Sequence, residues 1–434
     1  MGKGNTPIDK EKAKKIVDGK IVKELPSMMY NGEMVHLFSV DVPERCPECS
    51  GEMYNNKNHD RYIFTSEGTI EIPVVYKRCK ECGNMEPGKI VGVDGPKNYA
   101  NELLLKSRKV RHKAKNSLND ARKTTEILGG DIDKNIRAPS PGAFWKYEQK
   151  EGKQSLEKLR DTEVSFNGTL HIDGFWTICG WRKLVEKARG QEFSDKEWKK
   201  FKRQKVIYVV ATDDKVILDF VITDPKPPSA CLYPMLKRIR ERLGEENIEK
   251  VVSDEDKAIV PAVKTILPNT AHGFCVFHQL KNWIEKFLEK FETLDNLPKW
   301  AEKVYEKGIE LIKAENAVKS SERLNRAKEL LDSSPSKGYI EFKDTLKDFL
   351  ERKYEKNREY LEKGYLPATN NVMEQLFAFL ESATHRSKSF KTLSGLRSWV
   401  SIQFHSWNNR KFYTGIHASF TPLEIAKSKD PPAS

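Results

Sequence analysis

Two CxxC pairs constrain the fold of this chain more strongly than any other feature of the sequence. They are Cys46-Pro-Glu-Cys49 and Cys79-Lys-Glu-Cys82. Each turn presents two thiolates, and four thiolates make a closed tetrahedral zinc site that leaves no position for catalysis. The segment between them, RYIFTSEGTIEIPVVYKRC, is rich in β-branched and aromatic residues and predicts two strands joined at Ser66-Glu67-Gly68. The pattern predicts a structural Zn²⁺ in a zinc ribbon over residues 39–92, with free thiols as the alternative.

The remaining cysteines, Cys179, Cys231 and Cys275, are scattered, so the pattern favours a metal site in a reducing compartment over a disulfide framework. Gly51 and Gly83 follow the two pairs, where glycine eases a tight turn. A ribbon of this size depends on its metal for folding. Such ribbons bind nucleic acid or another protein, and the sequence does not choose between them.

The composition is that of a globular protein with a polar, solvated surface and several domains. The chain has 434 residues, of which 38% are hydrophobic and 32% charged, and its net charge is +13. A surplus of positive charge favours a polyanionic partner through counterion release, although basic enzymes of other kinds carry one too. The sequence has no apolar run of membrane-spanning length and no apolar signal core at its N-terminus, so we expect no membrane association.

The residue composition and the hydrophobic periodicity change several times along the chain. Basic helical segments, one of them with Ser140 as cap and Pro141 at its first position, suit a helix-turn-helix module. Alternating strands and helices then predict an α/β sheet, and a long Lys- and Glu-rich stretch without strand signals predicts an all-helical insertion. The predicted segments are a polar N-terminal stretch (1–38), the ribbon (39–92), helical DNA-binding module (93–160), core (161–278), insertion (279–366), rest of the core (367–425) and loose tail (426–434).

Three acids stand out by their context. Asp173 ends the predicted strand Thr169-Leu-His-Ile-Asp, and Asp254 ends Lys250-Val-Val-Ser-Asp. Ligands bind at the carboxyl ends of strands in open α/β sheets. Glu374 lies at the start of a helix that Thr369 or Asn370 can cap.

Phosphodiester transfer explains why such acids would gather. Two Mg²⁺ ions about 4 Å apart stabilise the attacking and leaving oxygens, and Mg²⁺ prefers carboxylate ligands. We assign the bridging position to Asp173 and one ion each to Asp254 and Glu374. Taken singly, each acid is more often a turn or capping residue, and Asp254 can cap a helix over 256–266. Asp256 is the alternative to Asp254 as a metal ligand, and Glu381 is the alternative to Glu374.

Several motifs resemble the DDE transposases of the Mutator-like type, which include many prokaryotic insertion-sequence enzymes. They are Ser253-Asp-Glu-Asp-Lys-Ala-Ile, then Cys275-Val-Phe-His278 with Lys281-Asn282, then Thr369-Asn-Asn-Val-Met-Glu374 after the helical insertion. The resemblance covers roughly residues 165–425. It implies catalysis at Asp173, Asp254 and Glu374, with supporting roles for Cys275, His278, Asn370 and Asn371. From the residues alone, Cys275 is a buried apolar cysteine and His278 a capped helix histidine.

The same resemblance implies a fold and partners. The fold would be a ribonuclease H-like mixed sheet with an all-helical insertion, preceded by the zinc ribbon and the helix-turn-helix module. The enzyme would use two Mg²⁺ ions, which Mn²⁺ can replace, to cleave element ends and join the 3′-hydroxyl to target DNA. Its partner would be double-stranded DNA, in a homodimer or larger synaptic assembly, in the cytoplasm of a prokaryote beside the nucleoid.

Two basic clusters are candidate contacts to DNA phosphates. One lies on a predicted helix, and the other follows Glu374, where a DNA end would enter. Either can instead be a solvated helix face. Their members are Lys106, Arg108, Arg111 and Lys113 in the first, and Arg386, Lys388 and Lys391 in the second.

Two other functions compete with transposition. One is a DNA-binding protein that is no longer mobile, whose core serves as a scaffold. The other is a metal-dependent nuclease on the same fold that cleaves DNA without joining it.

Overall fold

In the computed structural model the chain forms two compact units, Met1–Glu151 and Gly152–Ser434. The structure describes residues 28–30, 33–35, 40–41, 43–65, 68–90, 93, 101–113, 120–121, 123–124, 140–180, 182–200, 204–335, 337–365, 369–387, 390–412 and 417–427. None of the helices within these ranges is both long enough and apolar enough to cross a membrane.

A long antiparallel hairpin dominates the first unit. Its strands pair from Met53 opposite Cys79 to Thr65 opposite Gly68, so the turn falls where the sequence predicted it. A third strand pairs with the second, with Met85 opposite Arg78. The strands of this unit are β1 (Met28–Tyr30), β2 (Glu33–Val35), β3 (Val40–Asp41), β4 (Met53–Thr65), β5 (Gly68–Cys79), β6 (Met85–Pro87) and β7 (Lys89–Ile90).

Two longer helices follow, α1 (Asn101–Lys113) and α2 (Pro141–Asp161). The hydroxyl oxygen of Ser140 accepts a hydrogen bond from the Ala143 amide at 3.2 Å, which makes Ser140 the predicted N-cap. Helix α2 crosses the boundary between the two units. Most of residues 114–139 lie outside the described residues, so the predicted helix-turn-helix stays a prediction.

The second unit contains a five-stranded mixed sheet in the order β10-β9-β8-β11-β12. Its strands are β8 (Thr169–Ile178), β9 (Gln204–Thr212), β10 (Ile217–Thr223), β11 (Lys250–Ser253) and β12 (Ala271–Phe274). Strands β8, β9 and β10 are antiparallel, whereas β11 runs parallel to both β8 and β12. The prediction of a mixed α/β sheet is confirmed.

Helices cover both faces of this sheet. Successive side chains of a strand point to opposite faces, so the strands contribute to two separate cores. On one face, Ile172 and Val251 join a core with Met235 and Ile259. On the other face, Val209 joins a core with the helices after residue 370. The helices of this unit are α3 (Arg182–Arg189), α4 (Asp195–Lys200), α5 (Tyr233–Leu243), α6 (Ile259–Ile266), α7 (Val276–Phe291), α8 (Lys299–Ile312), α9 (Ala317–Ser333), α10 (Ile340–Glu362), α11 (Asn371–Ser387), α12 (Leu393–Asn408) and α13 (Pro422–Lys427), with 3-10 turns at Ser229–Leu232 and Glu245–Asn247.

Helices α7 to α10 occupy the stretch where the sequence predicted a helical insertion, and they pack around their own core. Trp283 and Phe287 are fully buried at its centre. A Cβ atom on Gly308 would lie 2.3 Å from the Trp283 ring, so only glycine permits α8 to approach this closely. The first helix of the group begins at Val276, slightly before the predicted start.

Candidate active site

Asp173 lies on β8, and Asp254 directly follows β11, the parallel strand beside it. Strands β8 and β11 pair with Lys250 opposite Thr169 and Ser253 opposite Ile172, and the two acids come next on each chain. Equivalent residues on neighbouring strands point to the same face, with backbones about 4.8 Å apart. The sheet therefore brings together the two acids that the sequence singled out.

The position of Asp173 within its strand differs from the prediction. Strand β8 does not end at Asp173 but continues to Ile178, paired there with β9 alone. Asp173 thus lies mid-strand, at the point where the shorter β11 ends. Pairing with the long strand β9 keeps β8 extended beyond the acid, which the apolar run before Asp173 could not indicate.

Asp173 is an almost fully buried carboxyl, only 7% exposed. The Gly174 amide donates to its Oδ1 at 2.7 Å, and the Asn370 side-chain nitrogen donates to its Oδ2 at 3.2 Å. Burial, followed by the charges of Asp254 and Asp256, raises the pKa of Asp173 to about 7. Crowded acids of this kind are a common mark of functional sites, because the fold gains stability if a cation neutralises them.

Asp256, and not Asp254, caps the following helix. Its Oδ1 accepts from the backbone amides of Ala258 at 2.6 Å and Ile259 at 3.2 Å, and its Oδ2 accepts from the Tyr208 hydroxyl at 3.3 Å. The alternative that Asp254 caps this helix is therefore wrong, and the helix begins at Ile259 instead of residue 256.

The Asp254 side chain makes fewer hydrogen bonds than that of Asp256. Its Oδ1 accepts from the Asp256 amide at 3.1 Å, and no other side-chain hydrogen bond of Asp254 occurs within the described ranges. Burial and the charge of Asp256 raise the pKa of Asp254. Between the two aspartates, Glu255 forms ion pairs with Lys353 and, at 2.8 Å, with Lys356 on helix α10. The insertion thereby holds the loop that carries Asp254.

Asn370 connects the start of α11 to the sheet and is fully buried. Besides Asp173, its side-chain nitrogen donates to the Ile172 carbonyl at 3.3 Å, and its Oδ1 lies 2.9 Å from Nδ1 of His171. Its backbone amide donates to Sγ of Cys275 at 3.3 Å. The Cys275 amide in turn donates to the Ser253 carbonyl at 2.7 Å. Asn370 and Cys275 therefore link helices α11 and α7 to strands β8 and β11.

Glu374 lies in the first turn of α11, where its amide donates to the Asn370 carbonyl at 3.2 Å. Its side chain is exposed, as are those of Asn371 and of Glu381 further along the helix. Asp173, Asp254 and Glu374 do not form a group whose oxygens all lie within 4.8 Å of one another. Among the residues that the structure describes, only the four paired cysteines form such a group.

His278 lies in the first turn of α7, half-buried. Its Nδ1 is buried and has no hydrogen-bond partner within the described part of the chain. The charge of His278 acts on Asp254 in the direction that lowers its pKa, although burial and Asp256 outweigh it. Two of the predicted supporting residues, Cys275 and His278, therefore lie beside the paired acids.

The four paired cysteines converge at the base of the β4–β5 hairpin. Their sulfurs lie within 4.8 Å of one another, with 3.5 Å between Cys46 and Cys82 and 3.4 Å between Cys49 and Cys79. Sulfurs around a tetrahedral zinc, with bonds of about 2.3 Å, are roughly 3.8 Å apart, so the set fits the ion. A Cβ on Gly51 would lie 3.0 Å from Sγ of Cys79, so a larger residue there would crowd one of the four sulfurs.

The basic residues that were predicted to contact DNA differ in their solvent exposure. Lys106 and Lys391 are exposed, which suits a contact to phosphate. Arg111 is buried, only 7% exposed, and its Nε lies 3.4 Å from Oε1 of Glu148. The Arg111 guanidinium therefore lies beside a buried acid and away from solvent, and its contact to DNA stays a prediction. The side chains of Arg108, Lys113, Arg386 and Lys388 lie outside the described residues.

Two polar residues of this site escaped the sequence analysis. His171 is buried two positions before Asp173, and its Nε2 lies 2.5 Å from Oδ1 of Asp213 in the β9–β10 turn. Although burial raises the pKa of Asp213, the hydrogen bond and the charge of His171 hold that pKa below its ordinary value. The alternation of side chains along β8 could have indicated His171, since residues 171 and 173 point to the same face of the sheet.

No family model matches the chain, and no curated protein is detectably similar to it in sequence. Among solved structures, the Drosophila P element transposase strand transfer complex has a TM-score of 0.35 at 9% identity, over 76% of this chain and 92% of that one. The Mos1 transposase paired-end complex with left transposon end has a TM-score of 0.17 at 11% identity, over 65% and 85%. A pre-cleavage Mos1 transpososome has a TM-score of 0.17 at 9% identity, over 63% and 83%. Likeness at these values is too weak to assign a fold, and the Mutator-like type stays a prediction.

Proposed function

We propose that the chain is a DNA transposase whose Asp173, Asp254 and Glu374 hold two divalent metal ions in a ribonuclease H-like core. One observation carries the proposal: Asp254 directly follows the strand that runs parallel to β8 beside the buried Asp173, and burial together with the charge of Asp254 raises the pKa of Asp173. A buried carboxylate beside a second, half-buried one is unfavourable without a cation. They are also the oxygen ligands that Mg²⁺ prefers.

The exposed position of Glu374 is compatible with a two-metal site. Ions about 4 Å apart with metal–oxygen bonds of about 2 Å allow the two outer acids to be roughly 8 Å apart. Only the bridging acid must reach both ions, and we assign that position to Asp173. Asp254 would complete one ion and Glu374 the other. We favour Asp254 over Asp256 because the Asp256 carboxylate already holds the backbone before α6 and the Tyr208 hydroxyl, whereas the Asp254 carboxylate accepts from the Asp256 amide alone within the described residues.

The bound ions would supply Lewis-acid stabilisation of the attacking and leaving oxygens. The chain's own residues then hold the ligands in place. Gly174 and Asn370 each donate to one oxygen of Asp173, which limits the rotation of its carboxyl group. Water would cleave a phosphodiester at the element end, and the released 3′-hydroxyl would attack target DNA at the same site by in-line displacement.

DNA binding in this account comes from several parts of the chain. The net charge of +13 favours a polyanion, and exposed Lys391 follows the helix that carries Glu374. The four-cysteine group would hold one structural Zn²⁺ that stabilises the hairpin. Because two element ends must meet, we expect a homodimer or larger assembly to be the active form.

A strand-transfer assay tests the proposal. Purified protein is incubated with Mg²⁺ and labelled duplexes that carry the DNA flanking its own reading frame, together with a supercoiled target plasmid. We expect nicked or cut ends and a product joined to the plasmid. Cleavage without joining would indicate a nuclease on the same fold, and sequence-specific binding without cleavage would indicate a DNA-binding protein that is no longer mobile.

A further inference from the structure

A chain of hydrogen bonds runs behind Asp173, from the β9–β10 turn to the proposed metal ligand. Asp213 contacts Nε2 of His171 at 2.5 Å, Nδ1 of His171 contacts Oδ1 of Asn370 at 2.9 Å, and the Asn370 side-chain nitrogen donates to Asp173 at 3.2 Å. His171 and Asn370 are buried, at 3% and 0% exposure. Neither His171 nor Asp213 is a proposed metal ligand.

The directions of these hydrogen bonds follow from the Asn370 amide. Its nitrogen has two hydrogens, and they are donated to the Ile172 carbonyl and to Asp173. Its Oδ1 can only accept, so Nδ1 of His171 must be the donor at the other side. The amide oxygen and nitrogen are nearly the same size, so shape alone would not prevent the amide from turning over.

Asp213 holds the ring of His171 in place. Its Oδ1 contacts Nε2 at 2.5 Å, while its Oδ2 accepts from the Asn167 side chain at 3.1 Å. A carboxylate opposite Nε2 fixes the ring plane, so that Nδ1 stays directed at Oδ1 of Asn370. The second oxygen, held by Asn167, keeps Asp213 in this position within a surface turn.

We propose that His171 and Asp213 are positioning residues for the proposed metal site: they hold the Asn370 amide with its NH₂ group towards Asp173. An amide turned the other way would place its oxygen against the carboxylate and push it out of position. Residues behind a metal ligand commonly contribute about 10- to 100-fold to metal affinity. This inference rests on the proposed function, because it requires Asp173 to bind metal.

Direct Mn²⁺ binding tests the inference without DNA. Free Mn²⁺ is followed by electron paramagnetic resonance as it is titrated into the full-length, zinc-loaded protein, and thermal melting checks folding. Asp213→Ala should weaken Mn²⁺ binding about tenfold. The adjacent turn acid supplies the matched control: Asp214→Ala removes the same charge, so a tenfold loss there too would mean a general charge effect and overturn the inference.

Two substitutions of His171 separate its nitrogens. His171→Asn keeps an NH₂ group near the position of Nδ1 and should retain Mn²⁺ affinity within about threefold, whereas His171→Gln places its amide near Nε2 and should lose about tenfold. Equal affinities in these two variants and in Asp213→Ala, all matching the wild type, would overturn the inference. If the wild type binds no Mn²⁺, or Asp173→Asn binds as well as the wild type, the metal-site proposal itself fails.

Discussion

The side chain of Asn370 donates a hydrogen bond of 3.2 Å to the carboxylate of Asp173, a residue 197 positions earlier in the chain. The same asparagine precedes helix α11, which carries Glu374. One buried amide thus joins the middle of the sheet to the helix with the third proposed ligand. The geometry of the proposed site therefore depends on a residue that binds no metal itself.

Replacing this amide should reduce both activity and stability. Asn370→Ala removes the side-chain donor to Oδ2 of Asp173 and to the Ile172 carbonyl, and we expect cleavage to fall about tenfold or more, with a lower melting temperature. Asn408→Ala is the matched control, since Asn408 is a buried asparagine that ties α12 to the backbone of Ile217. The control should melt earlier as well, but its activity per folded molecule should match the wild type.

The pKa of Asp173 predicts how metal-free stability varies with pH. Its folded-state pKa of about 7 is above the ordinary 3.8, so between these values the folded protein holds a proton that the unfolded chain has released. Stability from this group is therefore lost as pH rises from about 4 to about 7. Asp173→Asn removes the loss, so the metal-free variant should melt above the wild type at pH 8, with a difference that shrinks towards pH 4. A difference independent of pH would contradict the raised pKa.

Glu374 is the proposed ligand that depends most on its sequence context, and Glu381 is its rival on the same helix. Glu374→Gln should reduce Mg²⁺-dependent cleavage about 100-fold or more, because it removes a charged ligand of one ion. Glu381→Gln should stay near the wild type. Both side chains are exposed, so neither change should alter the melting temperature by more than a few degrees. The reverse ranking of activities would move the third ligand to Glu381.

Metal analysis tests the four-cysteine group. The purified protein should contain one zinc per chain by mass spectrometry, and Cys79→Ser should lose it together with the protease resistance of the hairpin. Cys231→Ser, which alters an exposed cysteine outside the group, should retain the metal. A wild-type protein without zinc, when prepared in its presence, would show that these sulfurs are free thiols.

The sequence predicted those parts of the site that local patterns determine. Apolar runs located β8 and β11, and the acid after each run was recognisable because strand ends carry ligands in such sheets. The four cysteines were equally clear from their spacing. The insertion was predicted from its helical periodicity, since no strand signal interrupts it.

Contacts between distant residues were beyond local patterns. His171 is paired with Asn370, 199 positions away, and no pattern near either residue indicates the other. Arg111 was predicted to contact DNA or to lie on a solvated basic face, but it is buried beside Glu148 on another helix. Asp254 was favoured over Asp256 in sequence only because it directly follows the predicted strand, whereas the role of Asp256 at the start of α6 depends on the backbone turn before that helix.

The most direct test of the metal-site assignment compares Asp254→Asn with Asp256→Asn in the Mg²⁺-dependent cleavage and joining assay. Asparagine at position 256 can still accept the capping hydrogen bonds, so this variant should keep activity within about tenfold of the wild type. Asparagine at position 254 removes a proposed metal ligand and should lose both cleavage and joining by about 100-fold or more. Full cleavage and joining by Asp254→Asn would contradict the assignment.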